Sequence, residues 1–175
     1  MHRILFLCHG NICRSVAAQY IMQHLVHEAG YDDLFEIDSA AATREELGNP
    51  VYPPMEKALK ARGVPIGTHR ARLMTMEDYD RFDYLIGMDY ENLRDMNEAY
   101  GESGSGRVSG HSSFRFDGRV RTDDPDGKLS LLLDYAADRD GEISDPWYTR
   151  DFDLACREIE AGCRGLLRQL LQTNP

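Results

Sequence analysis

Long apolar runs are missing from this 175-residue chain. No stretch of about 18 or more apolar residues occurs, so no bilayer-spanning helix is predicted. The apolar start, Ile4-Leu5-Phe6-Leu7, is too short for a secretory signal, and no small-residue cleavage pattern follows it. Cysteine is scarce: Cys8, Cys13, Cys156 and Cys163 are the whole set, with neither C-x-x-C nor zinc-site spacing. Without an export signal, reduced thiols and a cytoplasmic location are predicted. Basic charge is outweighed, 20 Lys and Arg against 30 Asp and Glu, a net charge of −10. That balance argues against a general nucleic-acid binder. No internal repeat is present.

What is present belongs to a soluble globular protein: 42% hydrophobic and 29% charged residues in a length that suits one domain, residues 1–175. Arg3 to Leu7 reads as a buried strand, followed by a helix from about Ser15 to Glu28 that Gly30 closes. Phe35 to Ser39 reads as a second strand, Ala40 to Pro54 as a long loop, and Met55 to Arg62 as a helix stopped at Gly63. Arg81 to Met88 reads as a third strand, with Asp89 capping a helix over Tyr90 to Ala99. A fourth strand is predicted over Leu129 to Leu133 and a closing helix over Asp151 to Leu171. Strands alternating with helices predict βαβ units and a parallel sheet. In such sheets ligands bind beyond the carboxyl ends of the strands, where Cys8 and Asp89 both fall.

The stretch Cys8-His9-Gly10-Asn11-Ile12-Cys13-Arg14-Ser15 lies between the first strand and the first helix. A strand-loop-helix junction points backbone N–H groups at a bound anion. A thiol at the loop's start, in the field of those groups and of Arg14, is favoured as the nucleophilic thiolate. A guanidinium can grip two phosphate oxygens at once. Gly10-Asn11 supplies residues suited to positive φ. The plainer alternative is a buried structural cysteine beside an unrelated arginine, but the flanking strand and helix favour a loop that holds a phosphoryl group against sulfur.

Residues 101–127 stand outside the alternating plan, being rich in Gly and Ser. Within this insert, Asp117-Gly118 between alternating runs predicts a β-hairpin over 113–122, with Phe116 opposite Arg119 and Phe114 opposite Arg121. It reads as a surface elaboration or as a docking arm. Cys156 and Cys163 share a helix face with Phe152 and Ile159 and are expected in the core. Thiolate attack on a phosphomonoester also needs a general acid facing the nucleophile. Asp145, followed by Pro146, Trp147 and Tyr148, stands out, although taken alone an ordinary Asp-Pro turn is the simpler reading.

The order of Cys8-x-Gly-Asn-Ile-Cys-Arg-Ser15, Asp38-Ser39-Ala40, His69-Arg70-Ala71-Arg72, Phe82-Asp83-Tyr84 with Met88-Asp89, and Asp145-Pro146 closely resembles the low-molecular-weight protein tyrosine phosphatases, in the manner of a bacterial member. The resemblance covers nearly the whole chain except about 101–127. It implies a three-layer α/β/α fold with a four-stranded parallel sheet in flavodoxin-like order and a phosphate loop after strand 1. It implies metal-independent phosphotyrosine hydrolysis with no cofactor. Cys8 would be the nucleophile, forming a phosphocysteine, and Arg14 would bind the phosphoryl group with His9, Gly10, Asn11, Ile12 and Cys13 of the loop. Ser15 would hydrogen-bond the Cys8 thiolate, and Asp145 would act as acid and then base. Ser39 and His69 would brace Asn11, Trp147 and Tyr148 would wall the ring slot, and Cys13 would trap an oxidised Cys8 as a disulfide.

The implied partner is a phosphotyrosine protein or peptide, a bacterial tyrosine kinase being one source of it; no nucleic acid or membrane partner is implied, and a monomer or weak dimer is expected. The chain departs from the family at Val16, where proline is usual, and at Trp147, where tyrosine is common. Glu45, beside Glu46, falls where many members carry tryptophan on the cleft wall. The related arginine phosphatases tend to carry threonine at the position of Ile12 and form one alternative. A thiol-dependent arsenate reductase ranks lower, because no cysteine lies between 14 and 155 to relay electrons. A phosphate-binding or protein-interaction module without turnover is the third alternative, and the presence of Cys8, Arg14 and Asp145 argues against it.

Overall fold

The computed structural model describes residues 1–100, 124, 126–138 and 140–173, with the backbone alone for 98–100. The hairpin expected at 113–122, like most of the 101–127 insert, lies outside the described residues.

Strand β1 (His2–Cys8) is apolar on both faces, and Ile4 to Leu7 are fully buried. A strand buried on both sides belongs at the centre of a parallel sheet, and β1 lies between β2 (Phe35–Ala41) and β3 (Tyr84–Gly87), with β4 (Leu129–Leu131) beyond β3. The order β2-β1-β3-β4 is parallel throughout, the flavodoxin-like arrangement. The two-residue side-chain period of β1 divides the core. Ile4, Phe6 and Cys8 pack with apolar residues of α1 (Arg14–Glu28), α2 (Pro53–Ala61) and α6 (Phe152–Thr173). Leu5 and Leu7 pack on the other face with Tyr79 of α3 (Met76–Arg81), Phe82, and Leu93 and Met96 of α4 (Tyr90–Tyr100). Cys156 and Cys163 lie fully buried in the first cluster, as the spacing predicted.

Several element boundaries differ from expectation, most of them by a residue or two. Strand β2 runs on through Ala41, because Ala40 and Ala41 pair with Leu7 and Cys8, and Pro53 opens α2 at its first turn, where a proline lacks nothing by lacking an N–H. The expected third strand loses its start to α3: Asp78 Oδ2 accepts the Thr75 N–H at 2.7 Å, a helix-start bond that competes with extended backbone. The expected fourth strand stops at Leu131 and bends into a 3-10 turn over Leu132–Tyr135, where Asp134 Oδ2 accepts from Leu131 N at 3.1 Å. A one-turn helix, α5 (Pro146–Thr149), precedes α6. The carboxyl ends of β1 and β3 lie side by side, Leu7 in register with Gly87, which brings Cys8 and Asp89 to one edge of the sheet.

Candidate active site

Five carbonyl groups after β1 are fastened away from the loop's interior. Cys8 O accepts from Ala42 N, His9 O from Thr43 N, Ile12 O from Tyr52 N and Cys13 O from Ala17 N, at 2.8–3.1 Å. Asn11 O takes the fifth bond, from His69 Nε2 at 2.6 Å. The backbone N–H groups of Gly10 to Cys13 donate to no protein acceptor among the described residues. A loop with its acceptors tied off and its donors free is built for an anion.

Asn11 sets the loop's shape. Its φ of 57° lies in the left-handed region that Asn tolerates better than most residues. The side chain is fully buried, with Nδ2 donating to Ser15 Oγ and Ser39 Oγ, both at 2.9 Å, and Oδ1 accepting Arg72 N at 3.1 Å. Ser39 Oγ in turn donates to Gln19 Oε1 at 2.6 Å. Ser15 Oγ, already accepting from Asn11, lies 3.0 Å from Cys8 Sγ, so its remaining hydrogen is free to point at a thiolate. Burial holds the pKa of His69 below the usual imidazole value, against the pull of its bond to Asn11, which favours a neutral ring with its proton on Nε2. Ser39 and His69 thus both reach Asn11, the contact that the family resemblance implied. Gly10 has no positive φ; its glycine matters because a Cβ there would stand 3.0 Å from Glu46 Cγ.

Arg14 opens α1 and is 4% exposed. Nη1 donates to Asp89 Oδ2 at 2.7 Å and to Ile143 O at 3.3 Å, and Nη2 donates to Asp145 Oδ2 at 3.0 Å. Burial works against its charge, but Cys8, Asp89 and Asp145 more than offset that and raise its pKa. Asp89 was expected as the cap of α4 at the same carboxyl edge of the sheet as Cys8, and it caps α4: its Oδ1 accepts Asn92 N at 2.8 Å. The bond of its second oxygen to Arg14 was not expected, although its place at the carboxyl end of the strand beside β1 was.

Asp145 caps α5, with Oδ1 accepting Trp147 N at 3.0 Å. The approach to it is pinned by Ile143 N donating to Met88 O at 2.8 Å and Ser144 N donating to Glu158 Oε2 at 2.7 Å. Trp147 leans on Tyr52, ring centroids 5.7 Å apart, and Arg150 lies over the same Tyr52 ring at 5.8 Å. Tyr52 therefore links the loop, through Ile12 O, to the wall that Trp147 forms. Glu158 and Tyr52 were not singled out from sequence, since neither stands in a motif.

A pocket of about 250 Å³ opens over these groups. Cys8, Ile12, Cys13 and Arg14 line its base, and Asp145, Trp147 and Tyr148 one side. Trp147 and Tyr148 are 57% and 82% exposed, a wall open to solvent. The His9 side chain also borders the pocket but pairs with Glu45, Nε2 to Oε2 at 2.9 Å. Cys13 carries a free thiol whose pKa burial pushes well above the usual range, with Cys8 adding to the rise. Among the described residues no group of three or more His, Cys, Asp or Glu side chains is arranged to hold a metal, and no helix is long and apolar enough to cross a membrane.

Residues 3–174 match the family model described as low molecular weight phosphotyrosine protein phosphatase. The chain is 31% identical over 171 residues to the Bacillus subtilis low molecular weight protein-tyrosine-phosphatase YfkJ, covering 97% of this chain and 96% of the relative. It is 33% identical over 168 residues to the human low molecular weight phosphotyrosine protein phosphatase, covering 95% and 94%. The crystal structure of B. subtilis YfkJ superposes with a TM-score of 0.81 at 30% identity, covering 100% of this chain and 98% of that one. A protein tyrosine phosphatase structure from Entamoeba histolytica shares the fold at a TM-score of 0.81 and 23% identity, each chain covered in full at 100%.

Proposed function

The chain belongs to the low molecular weight phosphotyrosine protein phosphatases and is a phosphoric monoester hydrolase; from that membership we propose that it cleaves phosphotyrosine in proteins or peptides through a phosphocysteine on Cys8. The observation that carries the mechanism is the loop of Gly10 to Cys13, its N–H donors free of protein acceptors, between Cys8 and Arg14.

The free enzyme holds Arg14 between two carboxylates. An incoming phosphoryl group takes the loop amides and Arg14 Nη2, displacing Asp145 while Asp89 keeps the guanidinium aligned. Cys8 sulfur attacks phosphorus as the P–O bond to the phenol breaks, and protonated Asp145 gives its proton to the leaving oxygen. Arg14 and the loop amides stabilise the charge on the equatorial oxygens, and positioning does most of the work. Water then attacks the phosphocysteine, Asp145 taking its proton, and phosphate leaves with the P–S bond broken and the thiolate restored, Ser15 donating to it. Trp147 and Tyr148 flank the phenyl ring, and Ile12 offers it an apolar contact.

A thiolate nucleophile works in a reducing compartment, which supports the cytoplasm as its setting. Peroxide that oxidises Cys8 to a sulfenic acid is answered by Cys13, in the same pocket: thiol and sulfenic acid condense to a disulfide with loss of water.

The test is hydrolysis of phosphotyrosine, phosphoserine and phosphoarginine with chelator present, by wild type, Cys8→Ser and Asp145→Ala. Phosphotyrosine is expected to turn over fastest, Cys8→Ser to be dead and Asp145→Ala to be slowed by about 100-fold or more. Acid quenching should trap a phosphorylated Cys8 peptide visible by mass spectrometry. Phosphoarginine as the better substrate would overturn the phosphotyrosine reading, and phosphate binding without turnover would overturn both.

A further inference from the structure

The pocket's floor is cationic and its outer rim is acidic. Arg14 supplies the positive charge at depth, while Glu45, Glu46 and Glu91 line the same pocket. Glu45 and Glu91 are open to solvent, with side chains 69% and 59% exposed. Glu46 is built into the site. Its Cγ occupies the space a Cβ on loop residue Gly10 would need, and Asn49 Nδ2 donates to its Oε2 at 2.7 Å. Of the basic side chains near this rim, Arg94 lies 3.5 Å from Glu91 and 3.6 Å from Asp95, Arg150 lies over the Tyr52 ring, and exposed Arg44 precedes Glu45 in sequence, while the His9 ring pairs with Glu45. Three carboxylates thus line the pocket, of which only Glu91 has an arginine within 4 Å among the described residues, on a chain of net charge −10.

Resting on the phosphotyrosine reading above, we infer that Glu45, Glu46 and Glu91 select phosphotyrosine flanked by lysine or arginine and disfavour phosphotyrosine in acidic sequence. The phosphate goes to the buried floor, where Arg14 and the loop amides meet it. The residues beside the phosphotyrosine remain at the rim, where each carboxylate attracts a basic side chain and repels an acidic one. Exposed pairs of this kind are individually modest, a factor of about two to five each, and add where several act on one ligand. A preference of about tenfold in kcat/KM at low salt follows, carried mainly by KM because the pairs form equally in ground and transition states.

The experiment compares two phosphotyrosine peptides of equal length, one with lysine on both sides and one with glutamate, and phenyl phosphate, which has no flanks. Wild type and the double variant Glu45→Gln, Glu46→Gln are assayed at 50 mM and 500 mM salt; glutamine keeps the packing of Glu46 against Gly10. The expected result is an approximately tenfold preference for the lysine peptide that shrinks towards unity in high salt and in the double variant. Equal rates on both peptides, or a glutamate preference, with phenyl phosphate still hydrolysed, would overturn the acidic selection and leave the phosphatase reading standing. A preference that persists undiminished in the double variant would assign it to other residues and overturn the role of Glu45 and Glu46. No turnover of any of the three would overturn the phosphatase reading itself and this inference with it.

Discussion

Arg14 is where most of the site's charge converges, and its neighbours make a quantitative prediction. Asp145 lies on the guanidinium proposed to bind the substrate phosphate. Replacing Asp145 by asparagine removes a competing anion while keeping the side chain's shape. Inorganic phosphate is therefore expected to inhibit Asp145→Asn about tenfold more tightly, the worth of one hydrogen bond to a charged group. Turnover of phosphotyrosine should fall by about 10²–10⁴ in the same variant. Phosphate inhibition constants measured on the residual activity decide the matter: an unchanged or weaker constant would show that the carboxylate does not compete for Arg14. His69 gives a second residue-scale prediction, in pH. Its pKa in the folded chain is depressed, chiefly by burial. Below its unfolded value of about 6.5 the unfolded chain takes up the proton first, so stability falls as pH drops through that value towards the depressed folded one, and is unaffected by this group above it. His69→Gln retains a donor for Asn11 O and has no such proton. Urea midpoints from pH 7.5 to 5.5 should decline less steeply for His69→Gln than for wild type, and parallel slopes would remove His69 as a source of acid sensitivity.

Among the elements, α6 is the one whose packing is least forgiving. Gly162 and Gly165 lie against the 3-10 turn Leu132–Tyr135; a Cβ on Gly165 would stand 1.8 Å from Tyr135 O, and one on Gly162 2.8 Å from Leu132 O. Alanine within a helix is normally worth about 1 kcal/mol over glycine. Here backbone oxygen blocks the space, and overpacking costs about 1–3 kcal/mol or more. Gly165→Ala should therefore destabilise the chain by a net ~2 kcal/mol in urea unfolding, and a gain in stability would mean that the turn and helix part easily. The same turn shows why sequence reading reached only part of the elements. Strand β1, the loop after it and α1 were legible because an apolar run, a turn-prone pair and a helical pattern follow one another within 28 residues. The boundaries of β3 and β4 were misplaced because Phe82 and Leu132 are apolar and buried without belonging to a strand: Phe82 is extended between α3 and β3, and Leu132 opens the 3-10 turn. Thr75-Met76-Glu77-Asp78 carried the helix-start signal for α3 in plain view. Asp89 was legible as a cap, but its second bond joins residues 75 apart in sequence and exists only once β1 and β3 are neighbours.

At the scale of the whole molecule, the central sheet with helices on both faces ties the loop after β1 to the segment carrying Asp145 by contacts from distant parts of the chain. Asn11 is held from His69 and Arg72, Ile12 from Tyr52, and Arg14 from Asp89 and Asp145. Both core clusters include β1, so neither face of the sheet can open without disturbing the strand that carries Cys8. This geometry supports the expectation that residues 1–175 unfold as one domain. The sequence supplies a convenient reporter, because Trp147 is its single tryptophan and stands at the pocket rim against Tyr52. In urea, the Trp147 fluorescence transition is expected to coincide with the far-UV circular dichroism transition, which follows the helices and sheet together, as two-state unfolding requires. Saturating inorganic phosphate, bound only by the folded loop, should move both midpoints upward by the same amount. Were the fluorescence to change at lower urea than the dichroism, the acid loop would be melting before the sheet. Activity would then be lost with the fluorescence, and the ties through Tyr52, Ser144 and Ile143 would be too weak to make the site part of the fold's single cooperative unit.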